Sequence, residues 1–212
     1  MEIDAELRGL IRPLSEEEYE QLKASVLAEG IRDPLVVWNG ILLDGHHRYK
    51  IAQEYGLEYQ TVEIELPDRE AAKEWIYANQ LGRRNLTAEA ASYYRGKLYE
   101  ARKLSHGGDR KSKGKNYPLI RASEEISREY GVAEKTVRND AEFSKAVDKV
   151  AAEIGEEAKH AILTGRANVP KKDVEKLIEV KEKAPELVEP ILQGETTLKS
   201  ARQAINRNES LS

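Results

Sequence analysis

Apolar positions recur along the chain in two rhythms. Tyr19, Leu22, Val26 and Leu27 keep helical spacing over residues 15–28, with Ser15 placed as an N-cap ahead of Glu16, Glu17 and Glu18, and Gly30 placed to end the helix. Leu35-Val36-Val37-Trp38 and Ile41-Leu42-Leu43 are short unbroken apolar runs, and the Asn39-Gly40 pair between them favours positive φ at both positions, which predicts a β-hairpin. The pattern then predicts a helix over 46–55 closed by Gly56, a strand over 61–64, and a helix over 67–80 with Ala71, Ala72, Trp75 and Ile76 on its buried side. A further helix starts at the N-cap Thr87 and runs to about 103.

The rhythm dissolves over 105–118, where Gly107, Gly108 and Gly114 lie among polar residues, as in a linker. Beyond it only helices are predicted, over 123–130, 134–154, 157–163, 170–183, 186–192 and 197–206, separated by Gly131, Gly155, Gly165, Pro185 and Gly194. The expected fold class is α+β: a small mixed domain over 1–103, a basic linker over 104–118, and an all-α domain over 119–212.

Composition narrows the function classes. The 212 residues are 40% apolar and 34% charged, enough for two modest cores under much solvated surface. No stretch approaches the roughly 20 apolar residues of a membrane span, and the start Met1-Glu2-Ile3-Asp4 lacks a signal-peptide profile, so a cytoplasmic protein is expected. There is no cysteine, which excludes thiol catalysis, disulfides and Cys-based zinc sites. The net charge of −4 weighs against a DNA partner only until the distribution of charge is considered.

Asp44-Gly45-His46-His47-Arg48 lies where a strand passes into a helix. Backbone N–H groups at a helix N-terminus, the helix dipole and a guanidinium one turn inside together suit an anion, phosphate first. The same residues also fit a simpler arrangement in which Gly45 makes the turn and Asp44 caps the helix. His46 and His47 are adjacent and project about 100° apart, a poor pair for one metal ion; hydrogen bonding to phosphate or proton transfer at His47 suits them better. Arg83 and Arg84, after Asn79, could reach phosphate or stay solvated.

Residues 122–140 fit a helix-turn-helix. Ile126, Val132 and Val137 would pack the pair, Ser127 would allow close approach and Gly131 would make the turn. Lys135, Thr136, Arg138 and Asn139 would then face outward, the side-chain types that read guanine, adenine and phosphate. A plain helical hairpin is the other reading, since Glu134 and Asp140 dilute the positive charge. Upstream, residues 102–115 carry six cations, Arg110, Lys111 and Lys113 among them, against the single acid Asp109. Such a segment is either a solvated linker or a salt-sensitive phosphate contact.

Three stretches in order, Glu29 to Val37, Asp44 to Tyr49 and Asn79 to Thr87, resemble the motifs of the ParB N-terminal domain. The resemblance implies a ParB/sulfiredoxin-like fold and a nucleotide pocket, for CTP or another nucleotide with Mg²⁺. Gly30 and Pro34 would border the base, Gly45, His46, His47 and Arg48 the phosphates, and Asn79 and Arg83 the far wall, Asn79 also serving Mg²⁺. Two departures count. His46 and His47 stand where the family has a Glu and more arginines, and Ala78 replaces a Glu tied to metal coordination and hydrolysis, so binding is expected over hydrolysis.

Sulfiredoxin is similar around Gly45 to Arg48, but its essential Cys would fall at His46, and its chemistry is excluded. ParB-like free-serine kinases have a closely similar Asp-Gly-His-His-Arg motif, which leaves a phosphotransferase as the alternative, with Asp44 or Glu29 as base and Arg48 as phosphate binder. The whole chain resembles compact ParB-like proteins of plasmids and mobile elements. That implies a partition or regulatory protein binding double-stranded DNA as a homodimer.

Overall fold

The computed structural model describes residues 1–107 and 122–209, which form two compact units, Met1–Gln80 and Leu81–Ser212. In the first, α1 (Ala5–Gly9) is capped by Asp4, whose Oδ1 accepts from the Leu7 N–H at 2.9 Å. The sequence pattern does not reveal this helix: five residues are too few to show a period, and only the buried Leu7 anchors it. α2 (Glu16–Glu29) opens on a capping box in which Ser15 and Glu18 satisfy each other's backbone N–H groups.

β1 (Leu35–Trp38) and β2 (Ile41–Asp44) form the expected antiparallel hairpin, with Asn39 at φ 49° and Gly40 at φ 78°. A register shift between Val36 and Val37 sets Asp44 opposite Val36, at the open end of the hairpin. α3 (His46–Tyr55) carries the chain back so that β3 (Thr61–Glu63) pairs parallel to β1, giving the order β2-β1-β3. α4 (Arg69–Leu81) lays Ala72 and Ile76 on Leu7, Trp38 and Leu43, while the Trp38 indole donates to the Leu66 carbonyl at 3.0 Å. Of the four positions expected on its buried side, Ala71 and Trp75 are only partly covered. Tyr77 and Gln80 are buried in addition, because the apolar stripe turns as the helix advances.

The described elements of the second unit are all helices. α5 (Ala88–Gly107) lies along α7 (Glu134–Ile154), with α6 (Ala122–Tyr130) and α8 (Glu156–Leu163) against them. α9 (Lys176–Lys183), α10 (Val188–Leu192) and α11 (Leu198–Glu209) follow; the helix expected over 170–183 opens instead as a 3₁₀ turn, Lys171–Asp173, after Pro170.

One grouping differs from the expected domain plan. α5, assigned by sequence to a domain ending at 103, belongs to the helical unit, and the division falls after Gln80. Gly96 is the reason: a Cβ there would lie 2.2 Å from the Asp140 carbonyl oxygen, so the α7 backbone occupies the space of the missing side chain. Beside it the Arg95 Nε donates to the buried Asp140 carboxylate at 2.8 Å. Breaking such a pair from one side costs about 3–5 kcal/mol. Asp148 on α7 accepts from Tyr93 at 2.7 Å and from Lys97 at 2.8 Å, both on α5.

Gly96→Ala is accordingly expected to lower stability by about 1–3 kcal/mol through forced separation of α5 and α7. Urea denaturation followed by far-UV circular dichroism measures it, and an unchanged midpoint would remove the close-approach account.

Candidate functional site

Gly45 turns β2 into α3 with φ 95° and ψ 19°, a left-handed conformation natural to glycine. A Cβ at this position would lie 2.5 Å from Leu35 Cδ2 and 3.3 Å from the Arg48 guanidinium, so the loop is closed around the bare backbone. Asp44 does not cap α3. No side chain does, and the Asp44 carboxylate instead pairs with Arg48 Nη2 at 2.7 Å. The first-turn N–H groups of a helix have no intrahelical partner, and the absence of a side-chain cap leaves this end suited to an anion.

Arg48 also ties the first sequence motif to the second. Its Nη1 donates to the Asp33 carbonyl at 2.7 Å, which fixes the loop between α2 and β1 to the start of α3. In that loop Gly30 ends α2 with φ 76°, Arg32 pairs with Glu29 at 2.9 Å, and Pro34 leads into the buried Leu35. His46 is buried, while the half-buried His47 meets the Tyr19 ring in an edge-to-face arrangement at a centroid distance of 6.2 Å. The candidate bases Glu29 and Asp44 are thus each engaged by an arginine.

In the helical unit, α6 and α7 are joined by Gly131, at φ 64°, with Val132 and Ala133. Ser127 Oγ donates to the Val132 carbonyl at 2.5 Å, and Ile126 and Val137 are fully buried between the helices, with Val132 half-buried. Lys135, Arg138 and Asn139 are exposed on the first two turns of α7, and Thr136 is half-buried. Of the two acids that dilute this face in the sequence, Asp140 is committed elsewhere and Glu134 stays at the face. Asp140 points inward to Arg95, and Glu134 accepts from Ser123 Oγ at 2.9 Å while pairing with Arg138 at 3.1 Å.

No family model and no curated protein matches the sequence. Solved structures do, among them two under one description. A pNOB8-like ParB N-domain shares 16% identity at a TM-score of 0.55, over 97% of this chain and 89% of that one. A second structure under the same description shares 18% at 0.52, over 100% and 86%. The chain has a ParB-like fold. At this identity the likeness carries the fold alone, and it extends over the helical unit as well as the sheet.

Within the ParB-like fold, Gly30, Pro34, Gly45, His46, His47 and Arg48 fall in the first unit, and Arg48 joins the loop of Gly30 and Pro34 to its own motif. Asn79 is half-buried on α4 of that unit, whereas Arg83 belongs to the second. Among the described residues no three His, Asp or Glu side chains gather as a metal site, and no helix is long and apolar enough to cross a membrane. Arg110, Lys111 and Lys113 lie outside the described residues.

Three features escape the sequence reading: the Asp33 carbonyl as a partner of Arg48, the Arg95–Asp140 pair, and the Arg102–Glu129 pair at 2.6 Å between α5 and α6. A glycine at 96, inside a strong helical pattern with no break signal around it, is the one sequence clue to the second. Beside Glu129, the Tyr130 hydroxyl is pushed up to about 12 by burial and then by that carboxylate, which it hydrogen-bonds.

Gly45→Ala should lower stability by about 2 kcal/mol, from the left-handed strain and the Leu35 clash together. Chemical denaturation checks this, and a midpoint within error of wild type would contradict the tight turn.

Proposed function

We propose that the chain is a DNA-binding protein of the partition or regulatory type. In this reading the α6–α7 pair is a helix-turn-helix, and a nucleotide at the start of α3 modulates binding. The observation that carries it is the outward face of α7. Lys135, Arg138 and Asn139 project together from its first turns, while the neighbouring Asp140 is turned inward to Arg95 and Glu134, held by Ser123, pairs with Arg138 at a solvated contact that DNA would displace. Arg matches guanine, Asn matches adenine, and Lys and Thr136 suit phosphate or base. Cations at 110, 111 and 113 would add affinity without sequence choice. A homodimer would place two such helices on paired half-sites, and a DNA partner implies a cytoplasmic protein.

The α3 end suits a nucleotide phosphate in two respects: it has no side-chain cap, and Arg48 stands in its first turn. Gly45, His46, His47 and Arg48 would hold the phosphates of CTP or another nucleotide, and Gly30 and Pro34 the base side. Mg²⁺ would be carried by phosphate oxygens and water, with Asn79 as a protein donor. To meet a phosphate, Arg48 would exchange its contact with Asp44 or Asp33, which makes the nucleotide a natural modulator of that loop. Engagement of Asp44 and Glu29 by arginines favours this binding reading over the phosphotransferase.

Fluorescence anisotropy with a labelled duplex tests both parts. Affinity should fall steeply with salt, and Lys135→Ala with Arg138→Ala should weaken it by about 10²-fold, two lost contacts of about 1–3 kcal/mol each. CTP with Mg²⁺ should shift the affinity of the wild type and leave Arg48→Ala unmoved. Undiminished binding by the double variant would sink the recognition helix, and an equal CTP response in Arg48→Ala would sink the pocket.

A further inference from the structure

A cavity of about 420 Å³ opens in the helical unit between residues 170–176 and the face of α11, remote in sequence from the α6–α7 pair. Its volume falls in the range of small-ligand pockets, about 300–1,000 Å³. Its walls combine apolar surface with a cluster of cations. Lys172, Lys176, Lys199 and Arg202 line it against a single acid, Asp173.

That acid is already committed, since the Lys176 ammonium hydrogen-bonds its carboxylate at 2.5 Å. Lys172 and Lys199 are exposed at the rim, and Arg202 reaches Glu179 only loosely, at 3.5 Å. The buried Leu198 and the exposed Pro170 supply apolar wall, and Gln203 an amide that can donate and accept.

We propose that this cavity binds a phosphate-bearing ligand, with Lys172, Lys199 and Arg202 as its charge partners. The volume exceeds what a bare ion needs, and apolar wall beside cations suits a phosphate ester whose organic part also enters. Convergence of the cations has a second sign. The Asp173 carboxyl is held below its usual range, first by Lys176, against the opposing effect of burial, and then by Lys172 and Arg202. A phosphate entering this field would take up the guanidinium in place of the long Glu179 contact. The site stands apart from the recognition-helix reading, because no residue of α6 or α7 lines it.

The source of the phosphate is either a free ester or the DNA backbone, and one experiment separates them. The full chain carrying Arg48→Ala, which takes the α3 end out of the measurement, is titrated in a calorimeter with inorganic pyrophosphate and separately with a short duplex. Adding Lys172→Glu and Lys199→Glu, two exposed positions, should weaken binding of at least one probe by about tenfold or more. The same reversals at Lys145 and Lys149 on α7 should change it less than about twofold.

Loss confined to pyrophosphate assigns a free phosphate ester; loss confined to the duplex assigns the DNA backbone. No binding of either probe, equal binding before and after the reversal, or an equal loss in the Lys145 and Lys149 control would overturn the site. Arg202→Gln, a milder change, must move affinity in the same direction, which separates a lost site from a lost fold.

Discussion

The backbone of α7 runs through the space that a side chain on residue 96 would fill, and the helical unit is organised around that approach. With glycine there, Arg95 sits beside the Asp140 carboxylate, and Tyr93 and Lys97 reach Asp148 further along the same helix. Helix propensity alone disfavours glycine mid-helix by about 1 kcal/mol relative to alanine. Close packing and a buried ion pair offset that, and together they set which face of α7 turns inward. Val137, Asp140, Ala141 and Ser144 go in, and Lys135, Arg138 and Asn139 are left outside. The proposed DNA-reading face is therefore a consequence of how α5 packs.

Arg48 plays the corresponding part in the sheet unit. A guanidinium can hold two partners at once in its planar fork, and here these are the Asp44 carboxylate and the Asp33 carbonyl. The loop after α2, the end of β2 and the first turn of α3 are joined at one side chain. The nucleotide phosphate proposed at the α3 N-terminus would compete with those contacts, which would couple its binding to the position of the loop. The register shift in the hairpin sets Asp44 opposite Val36, next to the turn into α3.

Much of this was legible in the sequence where a local rule has a single outcome. Asn39-Gly40 demanded a tight hairpin, Ser15 with Glu18 announced the start of α2, and Gly131 with Ile126 and Val137 marked the turn of the helix pair within a residue or so of its observed bounds. Partnership was not legible. The pattern of α5 says that one face is apolar, not which helix covers it, so a boundary drawn at the basic segment missed the packing that draws α5 to α7. Asp140 looked like a charge on the recognition face because one-dimensional spacing does not reveal that Arg95 waits opposite. Arg48 was read as a phosphate ligand with no sign that the backbone of Asp33 already holds it.

Amide chemical-shift mapping during titration with a duplex probes most directly whether the outward face of α7 meets DNA. The resonances of Lys135, Thr136, Arg138 and Asn139 should move progressively as duplex is added, while those of Val147 and Val150, buried on the opposite side, stay in place. Shifts confined to the sheet unit, with residues 135–139 silent at saturating duplex, would contradict that contact.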